Sequence, residues 1–288
     1  MNADFQNLTP FSYAVIGDPI SHSLSPHIHK SFAKQFEMDL DYRAIQVAPE
    51  KLDEFFEVFI QEGGKGCNVT LPLKEKVFEK ISRVTDQARI AGAANTVTVI
   101  ADELSADNTD GVGLMRDLER QFEMDWRQMR ILILGAGGAA RGILYPLLQK
   151  SPKAVILINR SMERAKHVQQ AFASYGSIEV QPANYVFQQP VDLIIHATSA
   201  AARGESADCD TLFNSAQSAI RSTTRAYDLM YQLHDDTHFC KWAKANHIKH
   251  SVDGLGMLVE QAAESFTLWH GQRPEVNTVL ENLRKNHT

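Results

Sequence analysis

The residues whose types and spacing point most directly to chemistry are Gly135, Gly137 and Ala140, which match the pattern G-x-G-x-x-[G/A]. In this pattern the first glycine makes a tight turn and the second lets the backbone approach a pyrophosphate. The third small residue lets a helix pack closely on a strand. The pyrophosphate binds at the helix N-terminus, where unpaired N–H groups and the helix dipole favour negative charge. The pattern predicts a dinucleotide site, with a packing-driven turn in another α/β protein as the alternative.

The residues that follow the next apolar run indicate which dinucleotide binds. NAD-type sites usually carry Asp or Glu there, which binds the ribose 2′-hydroxyl. This chain instead has Asn159, Arg160 and Ser161, and Arg164 follows one turn later. These side chains can bind a 2′-phosphate, and each charge-assisted hydrogen bond contributes roughly 1.5–3 kcal/mol. We therefore expect NADP rather than NAD. Solvated arginines at the start of a helix are the alternative.

Two serines near the N-terminus suit a small carboxylate ligand. Ser25 precedes Pro26, and this pair predicts a helix with serine as the N-cap and proline at the first helical position. Ser23 and Ser25 would then place two hydroxyls beside the helix N-terminus. Capping by Ser25 alone is the alternative, and it leaves Ser23 without a role.

Three nearby histidines do not predict a metal site. His22, His27 and His29 match no zinc-ligand spacing, and no cysteine or carboxylate completes a set. We expect them to be solvated or capping side chains, and we expect no metal in this protein.

Buried strands must position the glycine pattern. Ile131–Leu134 has no polar alternation, which is typical of a strand buried on both faces of a parallel sheet, and Ala154–Ile158 follows at the spacing of one βαβ unit. A third run, Val191–Ile195, leads to His196 at a loop that should face the cofactor. We expect His196 to cap the end of its strand, with a contact to the cofactor as the alternative.

The order of the elements predicts an α/β fold with two domains. Strands and helices also alternate within the first hundred residues, which implies a second α/β domain. The last helices are not needed by the nucleotide domain, so we expect them to return to the first. The predicted boundaries are 1–110 plus 254–288 for a discontinuous substrate-binding domain, and 111–253 for a Rossmann NADP-binding domain.

Composition narrows the class of protein. The chain has 288 residues, 44% hydrophobic and 22% charged, which is typical of a soluble globular protein. A net charge of −6 argues against a general nucleic-acid partner, and no apolar run approaches a membrane span. We expect no secretion signal in residues 1–10, which have no basic n-region and no apolar core. The three cysteines are odd in number and far apart, which indicates reduced thiols in the cytoplasm. The oligomeric state stays open, with a homodimer as one candidate.

Taken in order, the motifs match one family. The chain resembles shikimate dehydrogenases of the NADP-dependent biosynthetic type over nearly its whole length. Each motif alone is weak, and the ordered set is specific. The stretches that carry the resemblance are Val15–Ile20, Ser21–Pro26, Asn68–Lys74, Gly92–Thr96, Asp107–Gly111, Gly135–Ala139, Asn159–Ser161, Tyr227–Asp228 and Asp253–Val259.

The resemblance implies reversible reduction of 3-dehydroshikimate to shikimate by NADPH, on the route to chorismate and the aromatic amino acids, at a cleft between the two domains. It implies Lys74 and Asp110 as the catalytic pair. The implied substrate contacts are Ser23, Ser25, Thr70, Asn95, Asp110, Tyr231 and Gln261. The implied cofactor contacts are Gly135, Ala136, Gly137, Gly138, Ala139, Asn159, Arg160, Ser161, Arg164, Leu229 and Gly254.

The chemistry of these residues fits the implied reaction. The substrate is a polyhydroxylated ring with one carboxylate, and buried polar side chains select for its hydroxyls. Reduction of a ketone needs a hydride and a proton. Lys74 as an ammonium can polarise the carbonyl and donate the proton, while Asp110 orients it.

Two departures from the family pattern concern the cofactor side. His196 stands where the family commonly has Asn, and Leu229 where Met is frequent. Three other functions stay open. The first is a quinate/shikimate dehydrogenase that uses NAD, although Ser161 argues against it. The second is a non-catalytic ligand sensor, which should have lost Lys74 or Asp110. The third is another two-domain NADP enzyme, such as a folate dehydrogenase.

Overall fold

A computed structural model describes residues 12–198 and 206–285, with the side chains of 206–208 excepted. The chain divides into two compact units. The first comprises the residues up to Gly113 together with Val259–Asn282, and the second comprises Leu114–Leu258 together with the residues from Leu283 onward. The sequence predicts divisions at 110 and 254 and assigns the whole C-terminus to the first unit. Two of the structural divisions, after Gly113 and after Leu258, lie a few residues later, and a third, after Asn282, assigns Leu283–Lys285 to the second unit.

The sheet of the first unit is mixed. Its strands are β1 (Tyr13–Gly17), β2 (Tyr42–Gln46), β3 (Gly66–Val69), β4 (Arg83–Val84), β5 (Thr96–Ile100) and β6 (Glu103–Asp107). Their order is β2-β1-β3-β5-β6-β4. The first three strands are parallel, and β5 and β6 form an antiparallel hairpin beside β3. The polar segment at the end of β6 is thereby brought beside the start of β5.

Helices of the first unit alternate with its strands. They are α1 (Ser25–Gln35), α2 (Leu52–Gln61), α3 (Lys74–Lys80) and α4 (Asp86–Ala91). The divisions between the units fall inside α5 (Asp110–Gln121), α10 (Leu255–His270) and α11 (Asn277–Lys285). Aromatic residues of α2, among them Phe55 and Phe59, pack with apolar strand residues into one buried core. Burial of a large apolar side chain stabilises the fold by about 1.5–3 kcal/mol.

The second unit confirms the predicted Rossmann sheet. Its strands are β7 (Arg130–Leu134), β8 (Ala154–Ile158), β9 (Glu179–Gln181), β10 (Leu193–His196), β11 (Arg225–Asp228) and β12 (His250–Val252). All are parallel, in the order β12-β11-β10-β7-β8-β9. Numbered from 1 to 6 within the unit and read from the β9 edge, this order is 3-2-1-4-5-6. Ligands of such sheets bind outside the carboxyl ends of the strands, where the order reverses. Here the reversal lies between β7 and β10.

Helices α6 (Gly138–Gln149), α7 (Met162–Ala171), α8 (Ser206–Ser215) and α9 (His238–Ala245) complete the second unit. Strand β8, which lies between β7 and β9, is buried along its whole length, as its unbroken apolar sequence predicts. Within the described residues, no helix has the length and apolar character needed to cross a membrane.

The structure corrects two local predictions near the N-terminus. Ser25 is the first residue of α1 rather than its N-cap, and Leu24 occupies the cap position without a side-chain bond. The Ser23 hydroxyl instead accepts the Ser25 N–H at 3.3 Å, so Ser23 does the local bonding assigned to Ser25. His22 and His27 are exposed, but the prediction of a solvated or capping side chain was wrong for His29, which is buried and stacked on Tyr42.

Strand β6 was also not predicted. Its sequence, Glu-Leu-Ser-Ala-Asp, has little apolar character, and only Ala106 is fully buried. The hairpin with β5 supplies its hydrogen bonds, so pairing rather than intrinsic propensity makes this segment a strand.

Candidate functional site

Lys74 is held beside a carboxylate in the first unit. It is the first residue of α3, and its backbone carbonyl accepts the Ala94 N–H at 3.0 Å, which ties the start of the helix to the turn before β5. Its Nζ lies 2.5 Å from Oδ2 of Asp110, with 21% of the lysine side chain and 9% of the aspartate side chain exposed. A cation at a helix N-terminus is disfavoured by the dipole, so the ion pair offsets a local cost.

Asp110 is held in place by hydrogen bonds to its backbone and to its side chain. It is the first residue of α5, and its N–H donates to Oδ1 of Asn108 at 3.1 Å. The partial positive charge of a helix N-terminus stabilises a carboxylate. Oδ1 of Asp110 also accepts from the Asn95 amide at 2.8 Å, so the two oxygens face different partners. The carboxylate is thereby fixed in orientation beside Lys74.

Asn95 is the centre of the polar cluster. It lies in the turn before β5, is buried, and its amide nitrogen is 3.1 Å from Oε1 of Gln261 and 2.9 Å from Oγ1 of Thr109. Its amide oxygen accepts the Thr109 N–H at 2.8 Å. The structure therefore brings together four residues that the resemblance assigns to chemistry or substrate, although they are far apart in the chain: Lys74, Asn95, Asp110 and Gln261.

A buried polar layer, not predicted from the sequence, supports this cluster. The Asn68 amide donates to Oγ of Ser265 at 2.9 Å, and Ser265 lies 2.7 Å from the Thr96 hydroxyl. Asn68 also accepts from the Tyr42 hydroxyl at 2.7 Å. Ser265 follows Gln261 by four residues, so both lie on one face of α10. That helical spacing is the signal by which Ser265 could have been found.

The other predicted substrate contacts of the first unit follow the carboxyl ends of β1 and β3. Ser25 is buried and hydrogen-bonds with Tyr42, while Ser23 is half-buried beside it. Thr70 is half-buried in the loop after β3, and a Cβ on Gly17 would meet its methyl group at 2.5 Å. Glycine at 17 is thus needed for the close approach of the Thr70 loop to the end of β1. Tyr231, the remaining predicted contact, belongs to the second unit.

The glycine pattern in the second unit has the geometry of a phosphate loop. Gly135 has a φ of +116°, and a Cβ there would meet the Ala197 carbonyl oxygen at 2.9 Å. Nothing lies within 4 Å of a Cβ built on Gly137, which caps the 12-residue helix α6. Gly138 begins α6, Ala139 is exposed, and the first turn carries no acidic residue. The open backbone fits the approach of an anion to this helix N-terminus.

The end of β8 presents the predicted 2′-phosphate residues beside this loop. The Ala136 N–H donates to Oδ1 of Asn159 at 3.1 Å, which joins the two strand ends. Ser161 is the N-cap of α7 and accepts the Arg164 N–H at 3.2 Å. Arg160, Ser161 and Arg164 are exposed, so a doubly charged phosphate could be bound without burial of the arginines. These residues fit NADP better than NAD, because no carboxylate occupies the ribose position.

Two further predicted cofactor residues lie together at the ends of β11 and β12. A Cβ on Gly254 would meet the Leu229 carbonyl oxygen at 2.5 Å, so only glycine permits this approach of the two loops. The Gly254 N–H donates to the Met230 carbonyl at 2.9 Å. Tyr231 follows, and burial together with the charge of Asp253 raises the pKa of its hydroxyl, which therefore stays protonated. Within the described residues, no group of His, Cys, Asp or Glu could hold a metal ion.

His196 does not cap its strand. It is buried at the end of β10, and its Nδ1 lies 2.7 Å from Oδ1 of Asp228 at the end of β11. Its Nε2 lies 2.6 Å from Oγ1 of Thr198. The imidazole thus links two strand ends through side chains rather than satisfying a backbone group.

Comparison with known proteins identifies the family. Residues 15–97 match the shikimate dehydrogenase substrate binding domain, residues 116–204 the shikimate/quinate 5-dehydrogenase family, and residues 254–284 the shikimate 5′-dehydrogenase C-terminal domain. These matched ranges contain each of the predicted site residues except Asp110, Leu229 and Tyr231.

Relatives match along nearly the whole chain. The chain is 44% identical to shikimate dehydrogenase (NADP(+)) from Xanthomonas campestris pv. campestris strain 8004, over 94% of this chain and 95% of that protein. Its fold is similar to that of an Ael1 enzyme from Pseudomonas putida, with a TM-score of 0.84, 36% identity, and 95% and 98% of the two chains covered. It is also similar to shikimate 5-dehydrogenase from Thermus thermophilus in complex with NADP(H) and shikimate, with a TM-score of 0.83, 27% identity, and 96% and 100% covered. The chain belongs to the shikimate dehydrogenase family.

Proposed function

We propose that the protein catalyses the reversible, NADPH-dependent reduction of 3-dehydroshikimate to shikimate. The observation that carries the proposal is the partly exposed ion pair between Lys74 and Asp110, held by Asn95. An ammonium beside a fixed carboxylate suits reduction of a ketone, because it can donate the proton, and 21% of the Lys74 side chain is exposed. The family of the chain and the names of its relatives support the same reaction.

Lys74 is the proposed proton donor. As the carbonyl oxygen of the substrate gains negative charge, an ammonium at hydrogen-bond distance stabilises that charge and transfers a proton to it. Asp110 holds the ammonium in place and, through Oδ1, can accept from a substrate hydroxyl when the Asn95 amide turns toward the ligand. In the reverse direction, neutral Lys74 takes the proton from the alcohol.

The neutral polar side chains are the proposed specificity determinants. Asn95 and Gln261 offer amides to ring hydroxyls, and Thr70 and Tyr231 offer hydroxyl groups, while Ser23 and Ser25 suit the carboxylate. A buried amide that loses its hydroxyl partner is left unsatisfied, which costs about 1–3 kcal/mol. Such a site rejects analogues that lack a hydroxyl more strongly than analogues that are larger.

NADP is the proposed cofactor, and it supplies the hydride when bound. The N-terminus of α6, with Gly135 to Ala139, would hold the pyrophosphate, and Asn159 to Arg164 the adenosine ribose with its 2′-phosphate. Leu229 and Gly254 would border the remaining part of the dinucleotide. The open space at Gly137 and the exposed Arg160 support this assignment.

We also propose a cytoplasmic location, supported by three buried free thiols, and a homodimer remains a candidate assembly.

A spectrophotometric assay tests the reaction and both specificities. Purified protein is mixed with shikimate or quinate and with NADP or NAD, in four combinations, and absorbance is followed at the nicotinamide band. The proposal predicts turnover with shikimate and NADP only. Comparable rates with quinate or NAD would instead identify a broader quinate/shikimate dehydrogenase. Folded protein that binds NADP without turnover in any combination would favour a ligand sensor.

A further inference from the structure

The carboxyl ends of β10 and β11 carry a hydrogen-bonded side-chain triplet that the proposed reaction does not use. Its members are Asp228, His196 and Thr198, joined by contacts of 2.7 Å and 2.6 Å to the two nitrogens of the imidazole. Asp228 and His196 are buried, and Thr198 is half-buried. The triplet therefore connects a buried carboxylate to a hydroxyl that reaches the partly exposed end of the sheet.

Asp228 determines which imidazole nitrogen keeps its hydrogen. Its Oδ1 also accepts the Met230 N–H at 3.0 Å, and its Oδ2 accepts the Thr237 hydroxyl at 2.6 Å. An ionised carboxylate can only accept hydrogen bonds, so Nδ1 of His196 must donate to it. Gain or loss of a proton by His196 consequently takes place at Nε2, the nitrogen that faces Thr198.

The proton on Nε2 decides what the Thr198 hydroxyl can do. When Nε2 is protonated it donates to Oγ1 of Thr198, and the hydroxyl hydrogen can bond to another acceptor. When Nε2 is neutral it accepts that hydrogen, and the hydroxyl can only accept from other groups. Thr198 lies against the phosphate loop, since a Cβ on Gly135 would meet its methyl group at 2.8 Å.

The surroundings of His196 favour its charged form. Burial lowers its pKa, but hydrogen bonds and charge interactions with Asp228 and with Cys209 of α8 raise it to about 9. Helix α9 contributes Cys240, which interacts electrostatically with Asp228, and the Phe239 ring. On the remaining side, β7 pairs with β10 through apolar residues.

We propose that His196 is a positioning residue for the cofactor. In its protonated form it holds Thr198 as a hydrogen-bond donor to an anionic oxygen of the dinucleotide at the phosphate loop, and its deprotonation weakens binding. The inference rests on the proposed function only in placing a dinucleotide at this loop. It adds a pH dependence of cofactor affinity that arises from one buried histidine.

Cofactor affinity in the absence of substrate tests the inference. The dissociation constant of NADP is measured by calorimetry from pH 7 to pH 10 for the wild type, Thr198→Val, Thr198→Ser and His196→Gln. We expect the wild-type constant to rise about tenfold as the pH passes 9, the effect of one hydrogen bond to a charged group. Thr198→Val should bind about tenfold more weakly at pH 7, without that rise. Thr198→Ser should restore the wild-type profile, and His196→Gln should abolish the rise.

Two controls show whether the change in affinity comes from the Thr198 hydroxyl and the His196 proton. Thr223→Val, at an exposed threonine of the same unit, should bind like the wild type, and thermal melting checks that each variant is folded. Histidine NMR of cofactor-free protein measures the protonation of His196 directly. Wild-type affinity and pH profile in Thr198→Val would overturn the inference, as would a His196 that is neutral at pH 7. If His196→Gln does not fold, Thr198→Val and the NMR titration decide. Failure of the wild type to bind NADP at any pH would overturn the proposed cofactor as well.

Discussion

Replacement of Lys74 by alanine separates catalysis from binding. The variant removes a proton donor whose Nζ lies 2.5 Å from Asp110, but it leaves Asn95 and Gln261 in contact with each other. General acid catalysis contributes about 10²- to 10⁴-fold in rate, which corresponds to about 3–5 kcal/mol of barrier. We therefore expect kcat to fall by that factor, while shikimate affinity changes by less than about threefold, since most binding partners remain.

The protein should stay folded after this change. Lys74 is 21% exposed, so the loss of its charge-assisted bond costs at most about 1.5–3 kcal/mol, and Asp110 keeps the Asn95 amide and the helix N-terminus as partners. Steady-state kinetics and direct measurement of shikimate binding give the two quantities separately. Lys74→Arg is the matched control, because it keeps the charge but does not release a proton in proteins, and it should also lose turnover. Wild-type kcat in Lys74→Arg, or a Lys74→Ala variant that loses only affinity, would refute proton donation by Lys74.

Three other changes test separate parts of the structure. Arg160→Ala should reduce the preference for NADP over NAD by about tenfold or more, because a charge-assisted bond to the 2′-phosphate is lost, and unaltered preference in cofactor titrations would exclude that contact. Gly254→Ala should lower the free energy of unfolding in urea by about 1–3 kcal/mol, since the new methyl group would meet the Leu229 carbonyl at 2.5 Å, and an unchanged urea midpoint would contradict the close approach. Burial lowers the pKa of His29 to about 3, so below pH 6.5 the unfolded chain takes up a proton that the folded chain does not. The stability is therefore complete above pH 6.5 and falls by about 1.4 kcal/mol per pH unit toward pH 3, and His29→Phe should lack this part of the pH dependence.

The Rossmann unit could be predicted from the sequence because its signals are local. Strand β8 is an unbroken apolar run, and Gly135 and Gly137 are five residues or fewer from Ala140, so one short segment specifies a strand, a turn and a helix start. The order of the six strands, with its reversal between β7 and β10, instead depends on contacts between segments that are far apart in the chain. Strand β6 lacked a local signal, because its pairing with β5 depends on a contact with another segment.

The polar layer beneath the candidate site could not be predicted for the same reason. Asn68 and Ser265 are 197 residues apart, and their hydrogen bond exists only because α10 packs on the first sheet. Propensity rules also misled at Ser25, since they identify a serine before proline as the cap without regard to the hydroxyl of Ser23. Histidine counts as a polar residue in sequence patterns, yet His29 stacks on Tyr42 in the core.

The central claim is that the Lys74–Asp110 cluster reduces a ketone with NADPH, and the forward reaction tests it most directly. Purified protein is given 3-dehydroshikimate and NADPH, the loss of nicotinamide absorbance is followed, and the product is identified by NMR. We predict one shikimate formed for each NADPH consumed, in the wild type, and a rate at least a hundredfold lower in Lys74→Ala, at about the lower end of general acid catalysis. The absence of shikimate from a reaction with folded, NADP-binding wild-type protein, or equal rates in the two proteins, would contradict it.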